Sequence, residues 1–359
     1  MTDPMLDLSL EYVSGLTGKE VAAVEPVNGG LNSRVFKVTV IDGSRYAAKI
    51  YPGPTADGRN RMVTEFSALE FMAKNGVDCV PKPVVSDSSR QCAIFEFADG
   101  AQVLSGEATI TDIDHVGRFV MKLNGLKNNP GSAALPNAAE ACFSIRDIVS
   151  NLEARLGPLQ MVDSSSEMAG DLGEFVEQNF IPTFRKIEAW CEKRITGCGK
   201  SMDTELSAEY RTLSPSDLGF HNCLRQSNGE LVFLDFEYFG WDDPAKMISD
   251  FLHHPAMGLS SSLKQRFVED MLCKFQPDRD LLERTETVFP LFGLKWCLII
   301  LNAFSPVHRL QRGIINTPGP EQKKLLGRQL EKAKLMLHTV GTYYENFPYR
   351  DARDGLNVT

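Results

Sequence analysis

The chain has 359 residues, 43% of them hydrophobic and 24% charged, with 28 Gly and 19 Pro. That is a globular composition, long enough for one large or two modest domains, and it excludes collagen-like, coiled-coil and mostly disordered classes. The 38 Lys and Arg against 47 Asp and Glu leave a net charge of −9, the opposite of the basic surplus that a nucleic-acid partner selects for.

Eight cysteines are scattered without any CxxC pair or Cys/His cluster, a pattern of free thiols in a reducing compartment. Met1-Thr2-Asp3-Pro4 lacks the basic start and apolar run of a signal peptide. The apolar run 296–301 is far short of the roughly 20 residues that a bilayer span needs. A cytoplasmic protein with no membrane partner is expected.

Up to about residue 97 the pattern is strand-rich. Val21 to Val27 is largely apolar, Asn28-Gly29-Gly30 is a turn signal, and Val35, Val38 and Val40 are β-branched positions of a second strand. Asp42-Gly43 is a hairpin dipeptide, and Tyr46 to Tyr51 forms a third strand. A helix follows around Glu65 to Met72, stopping before Gly76. Pro81 and Pro83 flank an extended segment, and Cys92 to Phe97 is a short apolar strand.

After residue 100 helical spacing takes over. Ile113, Val116, Phe119, Val120 and Leu123 make a stripe on a helix over Asp112 to Leu126. Further helices are expected over Phe175 to Ile195, interrupted near Pro182, and over Ser262 to Phe275, Leu281 to Ala303 and Glu321 to Tyr344. The organisation predicted is an N-terminal lobe, residues 1–97, a hinge at Glu96 to Gly100, and a larger, mainly helical lobe, residues 98–359.

One stretch departs from helix packing: Leu213-Ser-Pro-Ser-Asp217-Leu-Gly-Phe-His-Asn222, then Leu231-Val-Phe-Leu-Asp235-Phe-Glu237. The Asn228-Gly229 dipeptide joins two short strands. Such a hairpin brings Asn222, before the first strand, beside Asp235, after the second, with Asp217 five residues upstream of Asn222. Asp and Asn are also common turn residues, and the Asp-x4-Asn spacing alone fits plain turns. With Asp235 at its strand end the set fits phosphoryl transfer. Asp235 is a hard oxygen ligand for Mg²⁺, Asn222 a neutral one, and Asp217 can accept the proton of an attacking hydroxyl.

These residues resemble the aminoglycoside phosphotransferase and choline kinase-like small-molecule kinases. Their catalytic loop reads His-Gly-Asp-x4-Asn, followed by Asp-x-Glu or Asp-x-Asp and then Gly-x-x-Asp-Pro-Ala. Here those elements are Asp217, Asn222, Asp235-Phe-Glu237, Gly240-Trp-Asp-Asp243-Pro244-Ala245 and Asp250. The resemblance implies a bilobal, protein-kinase-like α+β fold and ATP-dependent phosphorylation of a hydroxyl on a sugar, amino alcohol or aminoglycoside. It makes Asp217 the base, gives Mg²⁺ to Asn222 and Asp235, lets Glu237 assist the metal or bind substrate, and has Asp250 brace the catalytic loop. Pro215-Ser216 stands where the His-Gly pair is expected, so the ring that props the loop is missing. A nucleotide-binding pseudokinase with little turnover is the alternative reading.

The N-terminal lobe then supplies nucleotide contacts. Gly29, Gly30 and Ser33 would meet phosphates through backbone N–H groups and a hydroxyl, though for the glycines alone a plain hairpin is the commoner reading. Lys49 sits as the phosphate-pairing lysine does in Val-Ala-Ile-Lys, with Glu65 its ion-pair partner. Ile94-Phe95-Glu96-Phe97-Ala98 resembles the interlobe hinge, where the Glu96 carbonyl and the Ala98 N–H would read adenine. His221 lies inside the catalytic loop and can contact substrate or face solvent. His253-His254 fits a helix or core pair better than a metal site, and Tyr238, Phe239, Trp241 and Trp296 fit core or cleft wall better than a cage for a quaternary ammonium.

Overall fold

A computed structural model describes residues 8–27, 33–54, 58–162, 168–305, 309 and 319–349. Two compact units emerge, one of Met1–Ala139 with Leu213–Trp241 and one of Glu140–Thr212 with Asp242–Thr359. The first unit reaches well beyond residue 97, because the hairpin after residue 213 packs with a helix of the N-terminal segment.

The first unit opens with a helix that the apolar pattern left unmarked, α1 (Leu10–Thr17), whose N-cap Ser9 accepts the Tyr12 N–H. Then come β1 (Val21–Val27), β2 (Arg34–Val40), β3 (Arg45–Ile50), α2 (Arg61–Lys74), β4 (Pro83–Asp87) and β5 (Cys92–Glu96). The five strands form one sheet in the order β1-β2-β3-β5-β4, antiparallel throughout. One face buries Phe36, Val38, Ala48 and Ile94 with Val13 of α1, the period-2 alternation of a half-buried strand. Asn60 caps α2 through the Val63 N–H, and α2 buries Met62, Glu65, Ala68, Leu69, Phe71 and Met72.

A short β6 (Ala101–Gln102) leads to α3 (Ile110–Gly125), opened by a capping box between Thr109 and Asp112. The chain re-enters the unit at β7 (Thr212–Ser214) and continues through β8 (Cys223–Arg225), β9 (Leu231–Phe233) and β10 (Gly240–Asp242). β8 pairs antiparallel with β9 and with β6. Gly229, at φ +87°, supplies the left-handed turn of the β8–β9 hairpin. Phe233 of β9 stacks on Phe119 of α3 with ring centroids 4.0 Å apart, which joins the hairpin to the N-terminal segment. Gly240 is obligatory, because a Cβ there would lie 2.3 Å from the Pro136 carbonyl oxygen and 2.5 Å from the Ala138 nitrogen.

The second unit is helical: α4 (Ile145–Gln160), α5 (Ala169–Phe175), α6 (Ile181–Gly197), α7 (Pro244–His253), α8 (Ser261–Lys274), α9 (Leu281–Leu301) and α10 (Pro320–Tyr343). The expected interruption near Pro182 is a π-helical turn over Val176–Phe180, just before a proline at the start of α6. α9 is the axis on which α4, α6, α7 and α10 pack. By length and composition the stretch Leu281–Phe304 is apolar enough to cross a membrane, but 78% of its apolar window is buried inside the structure, as for a core helix. Asp250 was expected to brace the catalytic loop. Its carboxylate is taken up within this unit instead, by Lys295 at 2.7 Å, Trp296 Nε1 at 3.0 Å and Lys246 at 3.4 Å.

Candidate active site

The Asp217–Asn222 loop is held by its own backbone chemistry. Ser216 adopts φ +67°, a left-handed conformation that a serine takes only when its surroundings fix it. Two bonds do so: its N–H donates to Ser214 Oγ at 3.0 Å, and its own Oγ donates to the Ala139 carbonyl at 2.8 Å. Pro215 is buried between them. Asn222 closes the loop, its Nδ2 donating to the Asp217 carbonyl at 3.1 Å and to Asp217 Oδ2 at 3.3 Å. His221 Nε2 lies 3.3 Å from Asp217 Oδ1. The bracing expected of the missing histidine is therefore supplied by two serines.

Across the hairpin, Leu234 N–H donates to the Asn222 carbonyl at 2.8 Å, so Asn222 and the residue before Asp235 are bonded neighbours. Asp235 itself is left-handed, at φ +65°. Its Oδ1 accepts Lys49 Nζ at 2.7 Å, and the same ammonium donates to Glu65 Oε2 at 2.7 Å and lies 3.8 Å from Glu237 Oε2. Burial alone would lower the Lys49 ammonium, but the charges of Glu65, Asp235 and Glu237 overcome it and hold it well above its ordinary range. Lys49 is thus a buried cation, not a solvated edge charge.

Glu65 receives three donors: Lys49 Nζ and the Tyr51 hydroxyl, each 2.7 Å from Oε2, and the Phe236 N–H, 3.2 Å from Oε1. Glu237 is fully buried, with Arg61 Nη1 3.4 Å from Oε1 and Ser33 Oγ donating to Oε2 at 3.4 Å. Burial, then the neighbouring charge of Asp235, pushes its carboxyl above the usual range. Arg61 also lies over the Tyr238 ring, 5.3 Å from its centroid.

Carboxylate oxygens of Glu65, Asp235 and Glu237 lie within 4.8 Å of one another, a hard-oxygen set suited to a divalent cation such as Mg²⁺. Asn222 fits the same role, since its Nδ2 is engaged by Asp217 and its Oδ1 faces no donor among the described residues.

Of the residues singled out by sequence, Ser33, Lys49, Glu65, Asp235 and Glu237 form one cluster, and Asp217, His221 and Asn222 another. Gly29 and Gly30 lie outside the described residues. Glu96 ends β5, where its N–H donates to the Lys82 carbonyl at 2.8 Å and its side chain lies 3.8 Å from Lys82 Nζ on the exposed side. Ala98 follows two residues later. Trp241 donates Nε1 to the Ser132 carbonyl and Phe239 is fully buried, both structural. His253 is half-buried and stacked on Phe289, with Nε2 2.9 Å from its carbonyl. Sequence reasoning missed Tyr51, Arg61, Ser214 and Ser216. The one signal was spacing: Tyr51 is two residues after Lys49 and Arg61 four before Glu65, so each pair shares a face of its element.

No protein-family model matches the chain, and no curated protein does. Solved structures do. An ethanolamine kinase from Plasmodium vivax superposes with TM-score 0.59 at 16% identity, covering 92% of this chain and 88% of that one. A spectinomycin phosphotransferase in complex with ADP and spectinomycin gives TM-score 0.59 at 9% identity, over 94% and 98% of the two chains. A choline kinase from Streptococcus pneumoniae gives 0.57 at 17%, over 92% and 97%. Together with the antiparallel sheet and the helical remainder, these likenesses show that the chain has the bilobal α+β, kinase-like fold of the choline and ethanolamine kinases and the aminoglycoside phosphotransferases.

Proposed function

We propose that the protein is an ATP- and Mg²⁺-dependent kinase that phosphorylates a hydroxyl group of a small molecule. The observation that carries this reading is Lys49 bridging Glu65 and Asp235 in a buried cluster, joined through the β8–β9 hairpin to the Asp217–Asn222 loop. Lys49 would pair nucleotide phosphates and Glu65 would hold it in place. Asp235 and Asn222, with Glu237 beside them, would hold the metal, which when bound neutralises phosphate charge. Asp217 would orient the acceptor hydroxyl and take its proton, and His221, against the same carboxylate, would border the acceptor. The Glu96 carbonyl and Ala98 N–H would read the base, with Gly29, Gly30 and Ser33 near the phosphates.

The fold relatives act on choline, ethanolamine and spectinomycin by name, which supports an amino alcohol or aminoglycoside-like acceptor here. Eight thiols with no disulfide between them support a cytoplasmic setting.

Pro215 in place of the loop histidine favours one second reading, a pseudokinase that binds nucleotide without turnover. Phosphate transfer by the wild type separates the two, and Asp235→Ala tests the metal. In a kinase it abolishes Mg²⁺-dependent phosphate transfer while the thermal transition stays near that of the wild type. Wild-type turnover in this variant would remove the metal assignment.

A further inference from the structure

Tyr51 is 2% exposed, in a position where phenylalanine would fill the same volume without a polar atom to satisfy. A buried hydroxyl is unfavourable unless it is bonded, and this one donates to Glu65 Oε2 at 2.7 Å. Lys49 and Tyr51 are alternate residues of one extended segment, so both reach the same carboxylate oxygen, with Lys49 Nζ 5.0 Å from the Tyr51 ring centroid. Burial and the Glu65 charge keep the phenol protonated, well above its ordinary titration range.

With Oε2 held by Lys49 and Tyr51, the other oxygen of Glu65 is fixed where it accepts the Phe236 N–H. That bond acts on the residue next to Asp235, whose left-handed φ of +65° is unfavourable for a residue with a side chain. Lys49 Nζ is shared between Glu65 and Asp235 at equal distances of 2.7 Å. If Glu65 loses its second anchor, the ammonium settles on Asp235 and the turn loses its support.

We propose that Tyr51 is a positioning residue for the metal-binding turn: by anchoring Glu65 it keeps Asp235 in its left-handed conformation and free enough of Lys49 to take a divalent cation. The metal role of Asp235 rests on the kinase reading above. Tyr51 itself touches no reacting atom, and its effect passes through Glu65.

The test is calorimetric binding of ADP, without metal and across a Mg²⁺ titration, to wild type, Tyr51→Phe, Glu65→Gln and the double variant, with a thermal melt of each. Tyr51→Phe should leave metal-free ADP affinity and the melt close to wild type while weakening Mg²⁺ binding to the ADP complex about tenfold, the order for a lost hydrogen bond to a charged group. On the Glu65→Gln background the same change should have little further effect, because the two residues act in series. An unchanged Mg²⁺ titration in Tyr51→Phe overturns the proposal. So does an equal loss of metal-free and metal-dependent affinity together with a lowered melt, which would mean a packing role, or an undiminished effect in the Glu65→Gln background. If no hydroxyl compound is phosphorylated while ADP binding still responds to Mg²⁺, the kinase reading falls and the Tyr51 result stands on its own. If phosphorylation is demonstrable and Tyr51→Phe is silent, only the Tyr51 proposal falls.

Discussion

In the proposed kinase reading, Asp217 is the residue on which the chemistry would turn. It is partly exposed, touched by His221 on one oxygen and by Asn222 on the other, so its carboxylate is oriented without being buried. Asp217→Asn keeps shape and hydrogen bonding but removes the proton acceptor. A positioned general base is typically worth about 10²- to 10⁴-fold, and the variant should lose phosphate transfer by a factor in that range while its nucleotide affinity is unchanged. A steady-state rate and a nucleotide titration on the same preparation check both halves. At this scale the acidic residues and Lys49 were legible because charge is rare in apolar runs. Tyr51 was not, since an aromatic at a strand end reads as core until its hydroxyl is seen against Glu65. Ser214 and Ser216 were hidden for a similar reason: a serine in a polar loop carries no signal of the bonds that it makes.

At the scale of elements, the sheet was readable from alternation and from the Asp42-Gly43 and Asn228-Gly229 turns, and α3 and α9 from their apolar spacing. α4 was overlooked although Ser144 and Asp147 form a capping box ahead of Ile145, Ile148, Val149 and Leu152. α7 was overlooked too, although Lys246, Ser249, Asp250 and His253 recur at helical spacing; nine of its ten residues are buried, so its polar stripe meets partners instead of solvent. Gly240→Ala drives a Cβ into the backbone of residues 136–138, which has no flexible side chain to yield. Chemical denaturation should show a loss of at least about 2 kcal/mol.

His253, at the end of α7, is half-buried with its ring stacked on Phe289, and the loss of water around that ring pushes its imidazole down to about 4. The unfolded chain takes up that proton near its ordinary value of about 6.5, so stability is full above that pH and falls as pH drops from about 6.5 towards 4. The loss amounts to roughly 3 kcal/mol. Unfolding free energies at pH 7 and pH 4.5 should differ less in His253→Gln than in the wild type, because the variant removes this one contribution. An equal difference in the two proteins would place the acid sensitivity elsewhere.

At the scale of the whole molecule, the fold was anticipated from the catalytic-loop resemblance and the switch from strand-rich to helical patterning. The β8–β9 hairpin lies more than 200 residues from the start of the chain yet stacks Phe233 on Phe119 and brings Asp235 to Lys49, contacts that no local pattern announces. The acceptor is the least legible part, since its identity depends on pocket shape and not on any motif. The measurement that bears most directly on the central claim is incubation with MgATP and a panel of choline, ethanolamine, sugars and aminoglycosides, with ADP release and phosphorylated product followed together by mass spectrometry. The account predicts that at least one hydroxyl compound gains a phosphoryl group in step with ADP release, and that Asp217→Asn suppresses both. MgATP binding with no phosphorylated product from any compound, or a product formed equally well by Asp217→Asn, would contradict it.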